Sequence, residues 1–169
     1  ASAEEELILS VKFKLVFYGI SANSLIDLMV GFIYSQKLPS NIEIHLCLVN
    51  PSAKDCWNYL YWMREGEAVD PSLLEDYLEE DLTIQRKSIR KISNLTKIYK
   101  DLSVKIHFIN TPPLFWAYYI DKERIVIGHL AFLRESARTL PVNILVKNDP
   151  MTKSLFGYYQ IFFDGLLLD

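Results

Sequence analysis

The three histidines of this chain define the acid–base and metal chemistry that it can perform. His45 and His107 each lie among apolar neighbours in strand-like segments, where a histidine more often packs in a sheet than acts in catalysis. His129 follows Gly128 at a strand end, which is where loops place functional groups, with a structural role as the alternative. The histidine and cysteine spacings form neither a zinc site nor an HExxH pair, so we predict no metal ligand and no cofactor.

Motifs for nucleotide binding and nucleophilic catalysis are missing from the sequence. It contains no Walker loop, no GxGxxG and no GxSxG. The acidic run Glu79-Glu80-Asp81 falls in a predicted helix, where consecutive side chains point in different directions and do not converge on one substrate. We therefore assign no catalytic residue.

Aromatic residues cluster in one predicted helix, and they are candidates for an interface. Trp57 and Tyr61 are four residues apart and share a helical face, and Trp62 follows directly. Such a face usually packs on a sheet, but it also suits stacking on a ring-shaped ligand or closing a dimer. Trp57, Tyr61 and Trp62 are accordingly the predicted interface residues.

The charge balance and the cysteine content limit the partners and the compartment. With 18 Lys and Arg against 21 Asp and Glu, the net charge of −3 gives no general field for a phosphate backbone, so we predict no direct nucleic-acid binding. Only two cysteines are present, no long apolar run could span a bilayer, and the N-terminus is acidic. We expect a cytoplasmic location without membrane contact, and one domain, 1–169, excised from a longer protein.

The hydrophobic pattern predicts an α/β fold. Strand 11–18, a helix from Asn23 or Ser24 towards Pro39 and strand 42–49 form a βαβ unit, whose strands should run parallel. Helices are predicted within 52–64 and 71–100, the second being long or broken near Thr83. Strands at 104–110, 115–121, 124–128 and 142–146 follow, then a closing helix at 152–167; 131–140 is ambiguous. We expect a mixed, largely parallel central sheet flanked by helices.

The stretch 104–132, VKIHFINTPPLFWAYYIDKERIVIGHLAF, resembles the central signature of the phospholipase D superfamily. In that family a strand carries His-x-Lys-x4-Asp, followed by a tight turn, an apolar strand and a Gly-Ser or similar pair. Here Asp121 matches the Asp, 122–124 the turn, 125–127 the apolar strand, and Gly128-His129 replaces Gly-Ser. The resemblance implies a single phospholipase D-like lobe.

The residues that carry phosphodiester chemistry in this family are replaced. Counting back from Asp121 places Leu114 at the nucleophilic His position and Trp116 at the phosphate-binding Lys position. Neither side chain can attack phosphorus or hold an oxyanion. None of the three histidines begins a His-x-Lys either. We predict no phosphodiesterase activity.

Inactive domains of this type resemble the regulatory parts of some prokaryotic transcription regulators, which implies a non-catalytic sensor. Its ligand would be small and polar or ring-bearing, and a single lobe would need a second copy or a partner, so a homodimer is predicted. The carboxyl ends of the strands would gather the ligand-binding residues around a cleft: Ser21, Asn50, Trp116, Asp121, His129 and Asn148. The alternatives are a protein–protein interaction module without a ligand, and an unrecognised hydrolase that uses Asp121 and His129.

Overall fold

The computed structural model describes residues 2–65, 71–130 and 141–168. Its strands are β1 (Lys14–Gly19), β2 (Glu43–Val49), β3 (Ser103–Ile109), β4 (Phe115–Ile120), β5 (Arg124–His129) and β6 (Val142–Val146). Its helices are α1 (Ala3–Leu9), α2 (Asn23–Tyr34), α3 (Lys54–Glu65), α4 (Pro71–Ile98) and α5 (Lys153–Leu166). Within these described segments, no helix is both long and apolar enough to cross a membrane. The ambiguous stretch 131–140 lies outside the described residues.

The strands form one sheet in the order β3-β2-β1-β4-β5-β6. Strand β2 pairs in parallel with β1 and with β3, which confirms the predicted βαβ unit. The other pairs, β1 with β4, β4 with β5 and β5 with β6, are antiparallel. The sheet is therefore mixed as expected, but the prediction that it is largely parallel is wrong.

The connections explain the strand directions. Helix α2, and then α3 with α4, carry the chain back to the starting edge of the sheet, so β2 and β3 run parallel to β1. Only residues 110–114 join β3 to β4, which is too short for a helical crossover. Strand β4 must therefore start at the edge where β3 ends and run in the opposite direction. The loop 110–114 passes the ends of β2 and β1 to reach β4.

Side chains alternate between the two faces of the sheet and build two cores. The face of the sheet that α2 covers, here called the α2 face, packs against Leu25, Ile26, Met29, Ile92 and Leu95 of α2 and α4. The sheet residues of this core are Leu15, Phe17, Ile44, Leu46, Leu48, Tyr118, Ile120 and Val126. The opposite face, here called the α5 face, packs against Phe156 and Phe163 of α5. The sheet residues of this core are Val16, Tyr18, Cys47, Ala117, Tyr119, Ile125, Ile127 and Leu145. Both faces of the central strands are thus covered, as their long apolar runs indicate.

Helix α1 differs from the sequence prediction, whereas α4 is the long helix that was one of the two predicted alternatives. Helix α1 was not predicted; it is short and buries Ile8, while Ser2 caps it by accepting a hydrogen bond from the Glu5 amide at 3.2 Å. The Tyr118 hydroxyl ties it to the sheet by donating to Glu4 at 2.7 Å. Helix α4 continues unbroken past Thr83.

Candidate functional site

Four of the predicted ligand-binding residues lie along one edge of the sheet, here called the carboxyl edge, where β1, β2 and β3 end. Asn50 follows β2 and Ser21 comes soon after β1. Trp116 lies near the start of β4, and His129 is the last residue of β5, paired with Phe115. These strands are neighbours in the order β2-β1-β4-β5, so the residues span about 14 Å.

Asp121 and Asn148 lie at the opposite edge, so the expectation of one cleft lined by all six residues is wrong. Strands β4 and β6 run antiparallel to β1, and their ends therefore lie where β1 begins. The Asp121 amide donates to the carbonyl of Lys14 at 2.8 Å, and Val146, two residues before Asn148, pairs with Arg124. The directions of these strands separate the two groups.

Asp121 anchors the fold. Its carboxylate is buried and accepts hydrogen bonds, each 2.9 Å long, from the amides of Lys12, Phe13 and Lys14. The full length of β5 separates it from His129, about 16 Å at the rise of a strand. Asp121 and His129 therefore cannot act together on one substrate atom, which removes the geometric basis of the hydrolase alternative.

The indole of Trp116 fills the space above Gly128, its partner on β5. A Cβ atom added to Gly128 would lie 2.0 Å from Cζ2 of Trp116, so any side chain there would collide with the ring. Trp116 also packs edge-on against Tyr118, with ring centroids 5.9 Å apart. Leu114 is 69% exposed in the preceding loop. Position 114 is thus a surface leucine, and position 116 is a packed indole.

Asn50 organises the ends of β2 and β3. Its Nδ2 donates to Oδ1 of Asn110 at 3.0 Å, and its Oδ1 accepts from the Ser52 amide at 3.0 Å. Its carbonyl accepts from the indole Nε1 of Trp57 at 2.9 Å. Asn110 is exposed and lines an open depression together with Ser52, Ala53, Lys54, Asp55 and Cys56. Asn50 therefore supports this region, while Asn110 presents a polar group to solvent.

Sequence reasoning missed Asn110 and Gln85 at this edge. Asn110 follows β3 as Asn50 follows β2, so the same strand-end signal could have found it. Gln85 of α4 is 1% exposed, and its Nε2 donates to the carbonyl of Val49 at 3.0 Å and, more weakly, of Ile20 at 3.4 Å. Its Oε1 is buried and has no hydrogen-bond partner in the described part of the chain. No local signal marks Gln85, because it lies in a helix rich in charged residues.

The predicted aromatic interface is divided between core and surface. Trp57 and Tyr61 do share a helical face, and both are buried against Leu60, Leu78 and Leu82. The Tyr61 hydroxyl donates to the carboxylate of Asp81. Trp62 is 55% exposed and contacts the ring of Tyr59. Trp57 and Tyr61 therefore pack the protein's own core, and an interface role stays a prediction for Trp62 alone.

Burial suppresses the reactivity of the two cysteines. Both are free and buried. Desolvation raises the pKa of the Cys47 thiol to about 12 and also raises the pKa of Cys56. A thiol acts as a nucleophile only as the thiolate, so neither is primed for catalysis.

His45 and His107 lie on the α5 face of β2 and β3, four and two residues before the last residues of these strands. His45 is 5% exposed, and Nε2 of His45 contacts the Glu43 carboxylate. The two imidazoles stack with centroids 5.1 Å apart, as expected of sheet-face residues. Within residues 2–65, 71–130 and 141–168, no group of three or more His, Cys, Asp or Glu residues is placed to hold a metal ion.

Comparison with solved structures finds a neighbour with a similar fold. Phosphatidylserine synthase from Haemophilus influenzae Rd KW20, a member of the phospholipase D superfamily, matches with a TM-score of 0.51 at 11% sequence identity. The match covers 93% of this chain and 34% of that chain, so the chain spans about a third of the synthase's length. No protein-family model matches the sequence, and no curated protein matches it. At this identity, the likeness concerns the fold alone.

Proposed function

We propose that this chain is a non-catalytic regulatory domain with a phospholipase D-like fold, which senses a small polar ligand at its carboxyl edge. The observation that carries the proposal is the packing of Trp116 against Gly128. An indole occupies the position where the related enzymes place a cation, and Leu114 stands in the place of the nucleophile. The domain would serve a prokaryotic transcription regulator.

The side chains of His129 and Asp121 are not placed to perform phosphodiester chemistry. That chemistry needs an attacking imidazole and a positive charge at the developing oxyanion. His129 is the histidine of the carboxyl edge, and it lies one strand away from Leu114 at the end of β5. Asp121, the remaining residue of the motif, is engaged with backbone amides at the opposite edge.

The groups along the carboxyl edge favour an uncharged ligand. Ser21, Asn110 and His129 offer a hydroxyl, an amide and an imidazole, and the half-buried Trp116 offers an aromatic ring. Polar groups beside an aromatic surface are typical of sites for small molecules. A nucleoside or a sugar matches these groups better than a free phosphate does, because a phosphate requires compensating positive charge.

The buried cysteines support the proposed compartment. Neither is paired, and desolvation raises both pKa values. Free thiols of this kind suit a reducing environment, and we propose the cytoplasm.

Thermal-shift measurements test this function. The purified chain would be screened against nucleosides, neutral sugars and inorganic phosphate, and we expect a rise in Tm with a nucleoside or a sugar. His129→Ala should abolish that rise, because His129 lies on the strand next to Trp116. Asn148→Ala is the matched control, because Asn148 is also exposed but lies at the opposite edge, and it should respond like the wild type.

Two results would contradict the proposal. One is turnover of a generic phosphodiester that a single substitution in the chain abolishes. The other is a ligand response that His129→Ala leaves unchanged, since that would place binding elsewhere.

A further inference from the structure

Helix α5 presents an apolar surface to solvent on the side that faces away from the sheet. Leu155, Tyr158 and Ile161 recur at helical spacing and are 51%, 69% and 75% exposed. Met151 precedes the helix and Leu168 follows it, and both are almost fully exposed. We call these five residues the outer face of α5.

The opposite side of the same helix is already used by the core. Phe156 and Phe163 are fully buried against the sheet. Helix α5 is therefore apolar on both sides, and its sequence KSLFGYYQIFFDGL contains only Lys153 and Asp164 as charged residues. A helix that is apolar all round is characteristic of one that is covered on all sides.

The two charges of α5 oppose the helix dipole. Lys153 is the first residue of the helix and Asp164 lies in its last turn, whereas negative charge is favoured at the first turn and positive charge at the last. Both side chains are exposed. Within one copy this arrangement is mildly destabilising, so a partner that brings opposite charges to both ends would relieve it.

We infer that the outer face of α5 is a symmetric dimer interface, in which α5 packs antiparallel against α5 of a second copy of this chain. In a two-fold interface, a contact from residue i to residue j is repeated from j to i. Lys153 and Asp164 are equally distant along the helix from the midpoint between Tyr158 and Tyr159. An antiparallel pair centred there places Lys153 of each copy opposite Asp164 of the partner subunit.

The size and the charge of this surface both suit a second copy. A stable interface buries about 800 Å² per partner, and five large apolar side chains that each expose half or more of their surface contribute to such an area. None of the five residues of the outer face is charged, so two copies can bring these side chains together without like-charge repulsion despite the net charge of −3.

Gly165 permits the helices to approach closely. It comes four residues after Ile161, on the same helical side, and is exposed. A Cβ atom added there meets nothing within 4 Å. A large side chain at Gly165 therefore fits the isolated chain but would hold a partner helix away. Gly31, near the end of α2, is also exposed and has equally open surroundings, so it provides a matched control.

Sedimentation equilibrium over a range of concentrations tests the dimer. We expect the wild type to dimerise, Gly165→Lys to weaken the dimer at least about a hundredfold through steric exclusion and charge burial, and Gly31→Lys to leave it unchanged. Circular dichroism and Tm establish that each variant folds. A wild type that is monomeric throughout would overturn the inference, as would a Gly165→Lys variant that dimerises as well as the Gly31→Lys control.

Charge reversal tests the antiparallel arrangement without changing the size of the interface. Lys153→Glu or Asp164→Lys alone brings like charges together, and each should weaken the dimer by about fivefold or more. The double variant Lys153→Glu/Asp164→Lys restores opposite charges and should recover near wild-type affinity. If the loss of dimer affinity in the double variant equals the sum of the losses in the two single variants, the antiparallel pairing is overturned.

Discussion

Nδ1 of His45 lies 2.8 Å from Nε2 of His107, so two imidazoles on neighbouring parallel strands share one hydrogen bond. Nε2 of His45 also contacts a carboxylate oxygen of Glu43. An ionised carboxylate only accepts hydrogen bonds, so His45 donates from Nε2 to Glu43. In the neutral tautomer its Nδ1 accepts from His107. The three side chains form a directed chain of hydrogen bonds that ends on Glu43.

Replacing Glu43 tests this chain through the pH dependence of stability. The hydrogen bond from His45 is the main cause that lowers the pKa of Glu43 below its ordinary value of 4.5. A lowered folded-state pKa stabilises the fold above the unfolded-state value, and this contribution is lost as the pH falls through the folded-state value. Because the side chain is 43% exposed, we expect Glu43→Gln to cost under about 1 kcal/mol at pH 7.

Urea unfolding from pH 7 down to strongly acidic pH gives the measurement. The difference between wild type and Glu43→Gln should vanish once Glu43 is protonated in both the folded and the unfolded state. Glu79→Gln on the exposed surface of α4 is the control and should show little difference at any pH. A Glu43→Gln difference that stays constant over the whole range would contradict the assignment.

Asp121→Asn should destabilise the fold by about 2–4 kcal/mol, because a carboxylate that accepts three backbone amides would be replaced by a group with one acceptor oxygen. Asn tolerates the positive φ of 52° at this turn, so the backbone itself is not strained. Denaturant unfolding measures the change. Asp149→Asn is the control, since Asp149 accepts one amide, from Met151, in an exposed turn; a similar loss in both variants would refute the anchoring role.

The contact between Trp116 and Gly128 predicts strong coupling between substitutions at these positions. Gly128→Ala alone should cost about 2–3 kcal/mol, because the new methyl group overlaps the indole and forces it to move. In a Trp116→Ala background the same Gly128→Ala change should be nearly neutral. A double-mutant cycle by urea unfolding measures this coupling. Additive losses would show that the indole does not restrict position 128.

Thiol labelling tests the burial of the cysteines. With a pKa of about 12, Cys47 contains almost no thiolate at pH 8, and the pKa of Cys56 is raised as well. We expect the native protein to react with Ellman's reagent only as fast as it unfolds, and both thiols to react at once in denaturant. Cys56→Ser assigns the signal to Cys47. Rapid labelling of the native Cys56→Ser variant would contradict the prediction.

Local patterns predicted most helices and strands, whereas strand direction depended on a connection that no pattern describes. Strand β2 is one mostly apolar run, and α5 repeats its core residues at helical spacing, so the limits of both were predicted to within a residue or two. The antiparallel course of β4 follows from the short loop 110–114, and that course moved Asp121 to the opposite edge. Helix α1 was missed because its seven residues include one buried side chain, so they show no repeat of apolar residues at helical spacing.

The candidate site was predictable only where its residues follow strands. Asn50 and His129 were found at strand ends. Gln85 reaches the same edge from the middle of α4, and a single buried amide in a charged helix carries no signal before the packing is known. Trp116 was identified by the resemblance, but its dependence on Gly128 is a three-dimensional contact between paired strands.

The pairing of β1 with β4 has a consequence for how the chain folds. Strands β1, β2 and β3 follow one another both in sequence and in the sheet, and so do β4, β5 and β6. The β1–β4 ladder is the strand pairing that joins the two halves of the described sheet, and it connects residues about a hundred positions apart, such as Leu15 and Ile120. Closing so long a loop is entropically costly. We therefore expect β1–β3 and β4–β6 to assemble first and the β1–β4 ladder to form last. Cutting the backbone in the loop 110–114 should therefore yield two fragments that reassociate into the native sheet.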